Sequence, residues 1–237
     1  MIPISDSAVS RRRFPFVNLI LLATSIGVFF YQAGLGEAAM EVTFLRFGVV
    51  PVELTTGRDL PPASDLPLWS TLLTSMFLHG GWLHLGGNML YLFIFGDNVE
   101  DRLGHVTYLA FYLVCGVVAA LTQVAIDTQS RVPMVGASGA IAGVLAAYLL
   151  FFPNARVTAL LVFGFFARII PVPAILLVGL WALLQIFSGV ASLGTTAASG
   201  VAYWAHIGGF AAGLVLALLL RPRVRRRAPA RYQPWPS

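Results

Sequence analysis

The chain has 237 residues, 58% hydrophobic and only 11% charged, with fifteen basic and ten acidic side chains and a formal charge of +5. An ordinary soluble domain carries roughly 25% charged residues, so this one lacks the skin a soluble globule needs. It is also far too apolar to stay disordered. The mean hydropathy of +0.82 points instead to a polytopic helical membrane protein, since six spans of about 20 residues each would use about half the chain.

All fifteen basic residues are arginine. They cluster beside apolar runs, the pattern of membrane topology signals rather than of a nucleic-acid surface, and no nucleic acid is expected as a partner. A single cysteine, Cys115, lies inside an apolar run, which excludes an intrachain disulfide or a cysteine-rich metal site.

In chain order, residues 1–13 form an N-terminal segment ending in Arg11, Arg12 and Arg13. Span 1 follows over about Phe14 to Tyr31, too long for the 7–15-residue apolar core of a signal peptide and therefore read as a retained helix. Residues 35–70 carry Glu37, Glu41, Glu53, Asp59 and Asp65 with four prolines, and read as a long, partly amphipathic outer loop resting on the membrane surface. Span 2 is expected over Leu72 to Phe95, a polar turn over Gly96 to Gly104, span 3 over Val106 to Ile126, and span 4 over Val135 to Phe152. The apolar piece Val157 to Ala167 is too short to cross and is interrupted by Arg168, Pro171 and Pro173, so 153–173 reads as an interfacial connection. Span 5 is expected over Ala174 to Val190, a small-residue loop over 191–200, and span 6 over Ala202 to Leu220. Residues 221–237 read as a disordered, arginine-rich tail. The expected fold is thus an all-α membrane bundle of six helices. With the termini inside, twelve arginines lie on inner segments and only Arg46, Arg58 and Arg131 on outer ones, so the positive-inside rule places both termini in the cytoplasm.

An ionisable or strongly polar residue within a span is a functional candidate. Span 2 holds His79, His84 and Asn88; span 4 holds Ser138 in Gly136-Ala137-Ser138-Gly139; span 6 holds His206. Spans 2, 4 and 6 all run from outside to inside, and these residues fall in the outer part of each, so topology alone brings them to one depth. His84 and Asn88, four apart, share a helix face, whereas His79 on the same helix would point about 140° away from His84. Gly139 and Gly143 form GxxxG beside Ser138, and Gly209 and Gly213 form GxxxG one turn after His206. Small residues four apart let two helices approach closely; packing those faces together would bring Ser138 within reach of His206. No HExxH zinc motif, pair of intramembrane carboxylates, Walker loop or Rossmann fingerprint occurs, and no metal or cofactor is expected.

At these positions the sequence resembles the rhomboid intramembrane serine proteases. The likeness rests on HxxxxHxxxN (His79, His84, Asn88), GxSG (Gly136 to Gly139) and HxxGxxxG (His206, Gly209, Gly213), in that order, and covers about residues 14–220. It implies Ser138 as nucleophile, His206 as general base, and His84 and Asn88 with the Ser138 backbone N–H as oxyanion hole. It also implies that His79 braces the 35–70 loop and that the acid and arginine of Glu100-Asp101-Arg102-Leu103-Gly104 are structural. The implied substrates are transmembrane helices of other proteins, cut at an active site opening to the outside of a bacterial or archaeal plasma membrane. Two positions depart from the family pattern. Ala142 stands where members often carry a tyrosine that stacks on the base, and Ser70 follows Trp69 where many have arginine. The alternatives are a rhomboid-like protein that binds client helices without cutting them and a small transporter using His84 and His206.

Overall fold

The computed structural model describes residues 1–7, 13–64, 66–164, 166–193 and 201–220. Arg11, Arg12, most of the 191–200 loop and the arginine-rich tail lie outside them, and so do the readings made of those segments.

The elements in order are β1 (Ile2–Asp6), α1 (Phe16–Ala33), α2 (Glu37–Phe47), α3 (Pro51–Thr56), α4 (Thr71–Thr74) between two 3₁₀ turns, α5 (Trp82–Tyr91), a π turn (Leu92–Gly96), α6 (Asp97–Leu103), α7 (His105–Ile126), α8 (Ser138–Phe151), β2 (Arg156–Phe163), β3 (Phe166–Pro173), α9 (Ala174–Ser192) and α10 (Tyr203–Leu220). Among the described residues, α1, α7, α9 and α10 are long and apolar enough to cross a membrane. α5, the π turn and α6 form one uninterrupted helical run.

α8 is the axis of the molecule. Every residue from Gly139 to Tyr148 is buried, most closely against α10 and α7. Its small residues make this possible. A Cβ on Gly209 would overlap the Gly139 carbonyl, and a Cβ on Gly213 would overlap the Gly143 backbone. The two GxxxG faces thus meet, as their spacing predicts. At 14 residues, α8 is about 21 Å long, shorter than the ~30 Å of bilayer hydrocarbon.

Three expectations are corrected. Span 2 does not begin at Leu72. The chain makes short turns to Phe77, is extended at Leu78, and starts its long helix only at Trp82. His79 therefore precedes that helix instead of lying on it. The supposed polar turn 96–104 is largely helical, because its polar side chains have partners. Glu100, fully buried, accepts hydrogen bonds from the backbone N–H groups of Val17 (3.0 Å) and Asn18 (2.7 Å) and contacts His105. Pro15 cannot cap α1, so a carboxylate from another helix caps it, satisfying orphan donors at the positive end of the dipole. Asn18 in turn donates to the Leu92 carbonyl in the π turn (3.1 Å) and accepts from Tyr108 (2.8 Å). Arg102 stacks its guanidinium over Phe152. These contacts give physical content to the structural role implied for that acid and arginine.

The third correction concerns 153–173, where the all-α expectation meets an exception. β2 and β3 form an antiparallel hairpin, and β1 adds to it in the order β1-β2-β3. Val157 and Ala159 are buried while Arg156 is exposed and Thr158 partly so, the period-two alternation of a strand. Pro171 and Pro173 oppose a helix but are tolerated on the edge strand β3. The Asp6 carboxylate accepts from Tyr148 Oη (2.6 Å) and Asn98 Nδ2 (3.1 Å), tying the sheet to the end of α8 opposite Ser138. The 35–70 loop contains helices α2 and α3. Within it Glu53 is buried and accepts from the Leu60 backbone (3.0 Å).

Candidate active site

Ser138 is the first residue of α8, and the N–H groups of that first turn have no intrahelical acceptor. His206 lies one turn into α10, whose start is held by Gln123 of α7: Gln123 Oε1 accepts from the Ala205 N–H (3.3 Å). With α8 and α10 in glycine contact, Ser138 Oγ and His206 Nε2 are 2.7 Å apart. On the other side of the ring, His206 Nδ1 is 2.7 Å from Gln185 Oε1 of α9. The Trp181 indole, one turn earlier on α9, packs on the imidazole with centroids 5.8 Å apart and planes inclined by 39°.

Facing this pair across Gly136 is α5. Gly136 has φ +124° and donates its N–H to the Ser75 carbonyl (2.8 Å). A Cβ there would come within 2.7 Å of His84 Cε1 and Nε2, so glycine is required both by the backbone conformation and by the close approach of the ring. The Gly80 N–H donates to His84 Nδ1 (3.3 Å), which leaves the proton of the neutral ring on Nε2, on the edge that faces Gly136. Asn88, one turn further along the same face, is buried, and its Nδ2 has no partner. A buried amide donor without an acceptor is uncommon in a folded protein.

His79 departs from its expected placement. Because it precedes α5, its ring meets His84 edge to face at 5.2 Å. It is fully buried, donates from Nδ1 to the Phe77 carbonyl (3.2 Å), and its backbone N–H donates to Gln32 at the end of α1 (3.2 Å). Its contacts join the end of α1 to the His84 ring. Trp69 is largely exposed and Ser70 Oγ donates to the Pro67 carbonyl (2.7 Å).

A cavity of about 40 Å³ opens beside the serine, lined by Ser138, Gly136, Met76, Gly116, Ala140 and Ala205 among others. A larger groove of about 360 Å³ runs between α1 and the π turn past Arg13, Phe14 and Phe93, and shares no residue with it. No cluster of three metal-binding side chains occurs among the described residues.

Gln185 and Trp181 belong to this cluster although no motif marks them. The available signal was an amide in the apolar span 5 with a tryptophan four residues before it, the criterion already applied to Asn88. Nothing in the sequence said which helix face would meet α10.

A family profile described as the Rhomboid domain matches residues 67–223, a stretch that includes His79, His84, Asn88, Ser138 and His206. The chain belongs to the rhomboid family. Curated relatives agree. The chain is 30% identical over 164 residues to the Rhomboid protease AarA of Providencia stuartii, covering 61% of this chain and 55% of that one. It is 30% identical over 145 residues to the Rhomboid protease GluP of Bacillus subtilis, covering 61% and 26%. It is 29% identical over 173 residues to the mitochondrial Rhomboid protein 1 of Saccharomyces cerevisiae, covering 69% and 45%. The chain spans between 25% and 63% of the length of the curated relatives it matches, less than two thirds of each. Family membership and the apolar helices make this rhomboid an integral membrane protein.

Proposed function

We propose that this rhomboid is an intramembrane serine endopeptidase that cuts transmembrane helices of other proteins with a Ser138–His206 dyad. The 2.7 Å approach of Ser138 Oγ to His206 Nε2, on two helices fixed by glycine contacts, carries the reading. His206 takes the Ser138 proton as Oγ attacks the scissile carbonyl carbon. The carbonyl oxygen gains the negative charge and is received by His84 Nε2–H, Asn88 Nδ2–H and the Ser138 backbone N–H at the positive end of α8. The intermediate collapses by breaking the C–N bond, and His206 returns its proton to the leaving amine. Water then hydrolyses the acyl-serine by the same two steps. The 40 Å³ cavity beside Ser138 suits a side chain of methyl size, so small residues before the scissile bond are favoured, with glycine or another helix-breaking residue nearby to let the substrate helix unwind. The six-span topology with cytoplasmic termini, α5 through α6 and α8 being the second and fourth spans, opens this site to the outside of a plasma membrane.

The test is labelling with a fluorophosphonate in detergent. Wild type is expected to be labelled and Ser138→Ala not. A folded wild type that resists labelling would overturn the protease reading in favour of a client-helix binder. Asn88→Ala is expected to lower kcat about 10²–10³-fold, since the lost donor acts on charge that develops only in the transition state; an unchanged kcat would remove Asn88 from the oxyanion hole.

A further inference from the structure

The bond behind the base points to a third member of the catalytic unit. We propose that Gln185 is a positioning residue: its amide fixes the tautomer and orientation of His206, making a Ser138–His206–Gln185 relay with α9 as its third helix. This inference rests on the protease reading above.

One orientation of the amide satisfies both of its ends. Gln185 Nε2 donates to the Trp181 carbonyl one turn back (3.4 Å). Reversing the amide would set Oε1 against that carbonyl oxygen and place an N–H group at His206. With Oε1 toward the ring, a neutral imidazole must carry its proton on Nδ1 and donate it to Gln185 at 2.7 Å. The lone pair then lies on Nε2, where Ser138 Oγ–H is 2.7 Å away. The opposite tautomer would present an N–H to the serine and could not accept its proton. Gln185 does for the ring what a carboxylate does in a Ser-His-Asp triad, choosing the tautomer and the plane of the base, without placing a full charge in an apolar helix.

Trp181 completes the arrangement. Ala142 is fully buried beneath the site and has no ring to offer. The indole that packs on His206, and also meets Phe210 at 6.4 Å, comes from α9. Position 181 thereby supplies the support that position 142 lacks. Both Trp181 and Gln185 lie on the least buried of the four long apolar helices, so the geometry of the base depends on where α9 sits.

The experiment measures cleavage of a purified single-span substrate in detergent by wild type, Gln185→Met and Gln185→Glu, with active enzyme counted by fluorophosphonate titration. Methionine keeps the length of the side chain and removes the acceptor; glutamate keeps the acceptor. The expected result is a kcat about 10–100-fold lower for Gln185→Met with KM within twofold of wild type, and a kcat within a fewfold of wild type for Gln185→Glu. A wild-type kcat in Gln185→Met, or equal losses in both variants, would overturn the proposal. A second measurement does not depend on the variants. In ¹⁵N-histidine-labelled wild type, which has four histidines, the His206 signals, assigned with His206→Asn, should show a protonated Nδ1 and a bare Nε2 at neutral pH; the reverse pattern overturns it. Ser138→Ala runs alongside. If Ser138→Ala still cleaves, the protease reading fails. If it is inactive while Gln185→Met is unimpaired, only the role of Gln185 fails.

Discussion

Ser138→Ala and His206→Ala are each expected to lower cleavage of a co-expressed single-span substrate by at least about 10⁴-fold, and the double variant to be no worse than either alone. The reason is the 2.7 Å contact between Ser138 Oγ and His206 Nε2. An alcohol is a weak nucleophile at neutral pH until a neighbouring base takes its proton in the same step, so losing either partner removes the same event. Residual hydrolysis would come from the donors that remain, His84, Asn88 and the start of α8, which act on the oxyanion whatever attacks it. The measurement is the ratio of cleaved to intact substrate, normalised to folded enzyme. Multiplicative losses in the double variant would mean that the two residues act independently and would break the dyad.

The second large effect lies in the scaffold. Gly209→Val is expected to lower activity by at least about 100-fold while the helical circular dichroism signal is retained. A Cβ at 209 falls on the Gly139 carbonyl, which is backbone and cannot rotate away, and reaches Ala119 Cβ at 3.3 Å. α10 must therefore shift away from α8, and a displacement of about 1 Å between reacting groups is worth about 10²-fold in rate. Gly179→Ala and Gly27→Ala are the controls. An added Cβ at either meets nothing within 4 Å, and both are expected to leave activity unchanged and to stabilise their helices slightly. Wild-type cleavage by Gly209→Val would show that the α8–α10 approach does not set the geometry of the site.

Much of the candidate site is legible in the sequence. Ser138, His84, Asn88 and His206 stood out because so few polar residues interrupt the apolar runs, and the paired GxxxG motifs indicated which two helices would touch. The glycine contacts between α8 and α10 agree with that expectation. Placement was less legible. The apolar signal runs on from Leu72 and so draws His79 into the second span. Hydropathy does not record that the chain turns through short 3₁₀ segments before Trp82. The hairpin at 156–173 was read only as an interfacial stretch, since an apolar run of about eleven residues has no helical or strand signature of its own. Its pairing partner, β1, lies about 150 positions earlier in the chain.

By itself the sequence determined the environment and the candidate residues. A chain with 11% charged residues cannot solvate a soluble surface, and the few polar groups left inside its spans had to be satisfied by one another or used. The tertiary structure decided which groups meet. The cap on α1 is a glutamate more than eighty residues away, and the partner behind the base is a glutamine on a third helix. Both are side-chain contacts set by helix rotation and depth. Those quantities follow from how all the apolar faces pack together, and no local pattern in the chain encodes them.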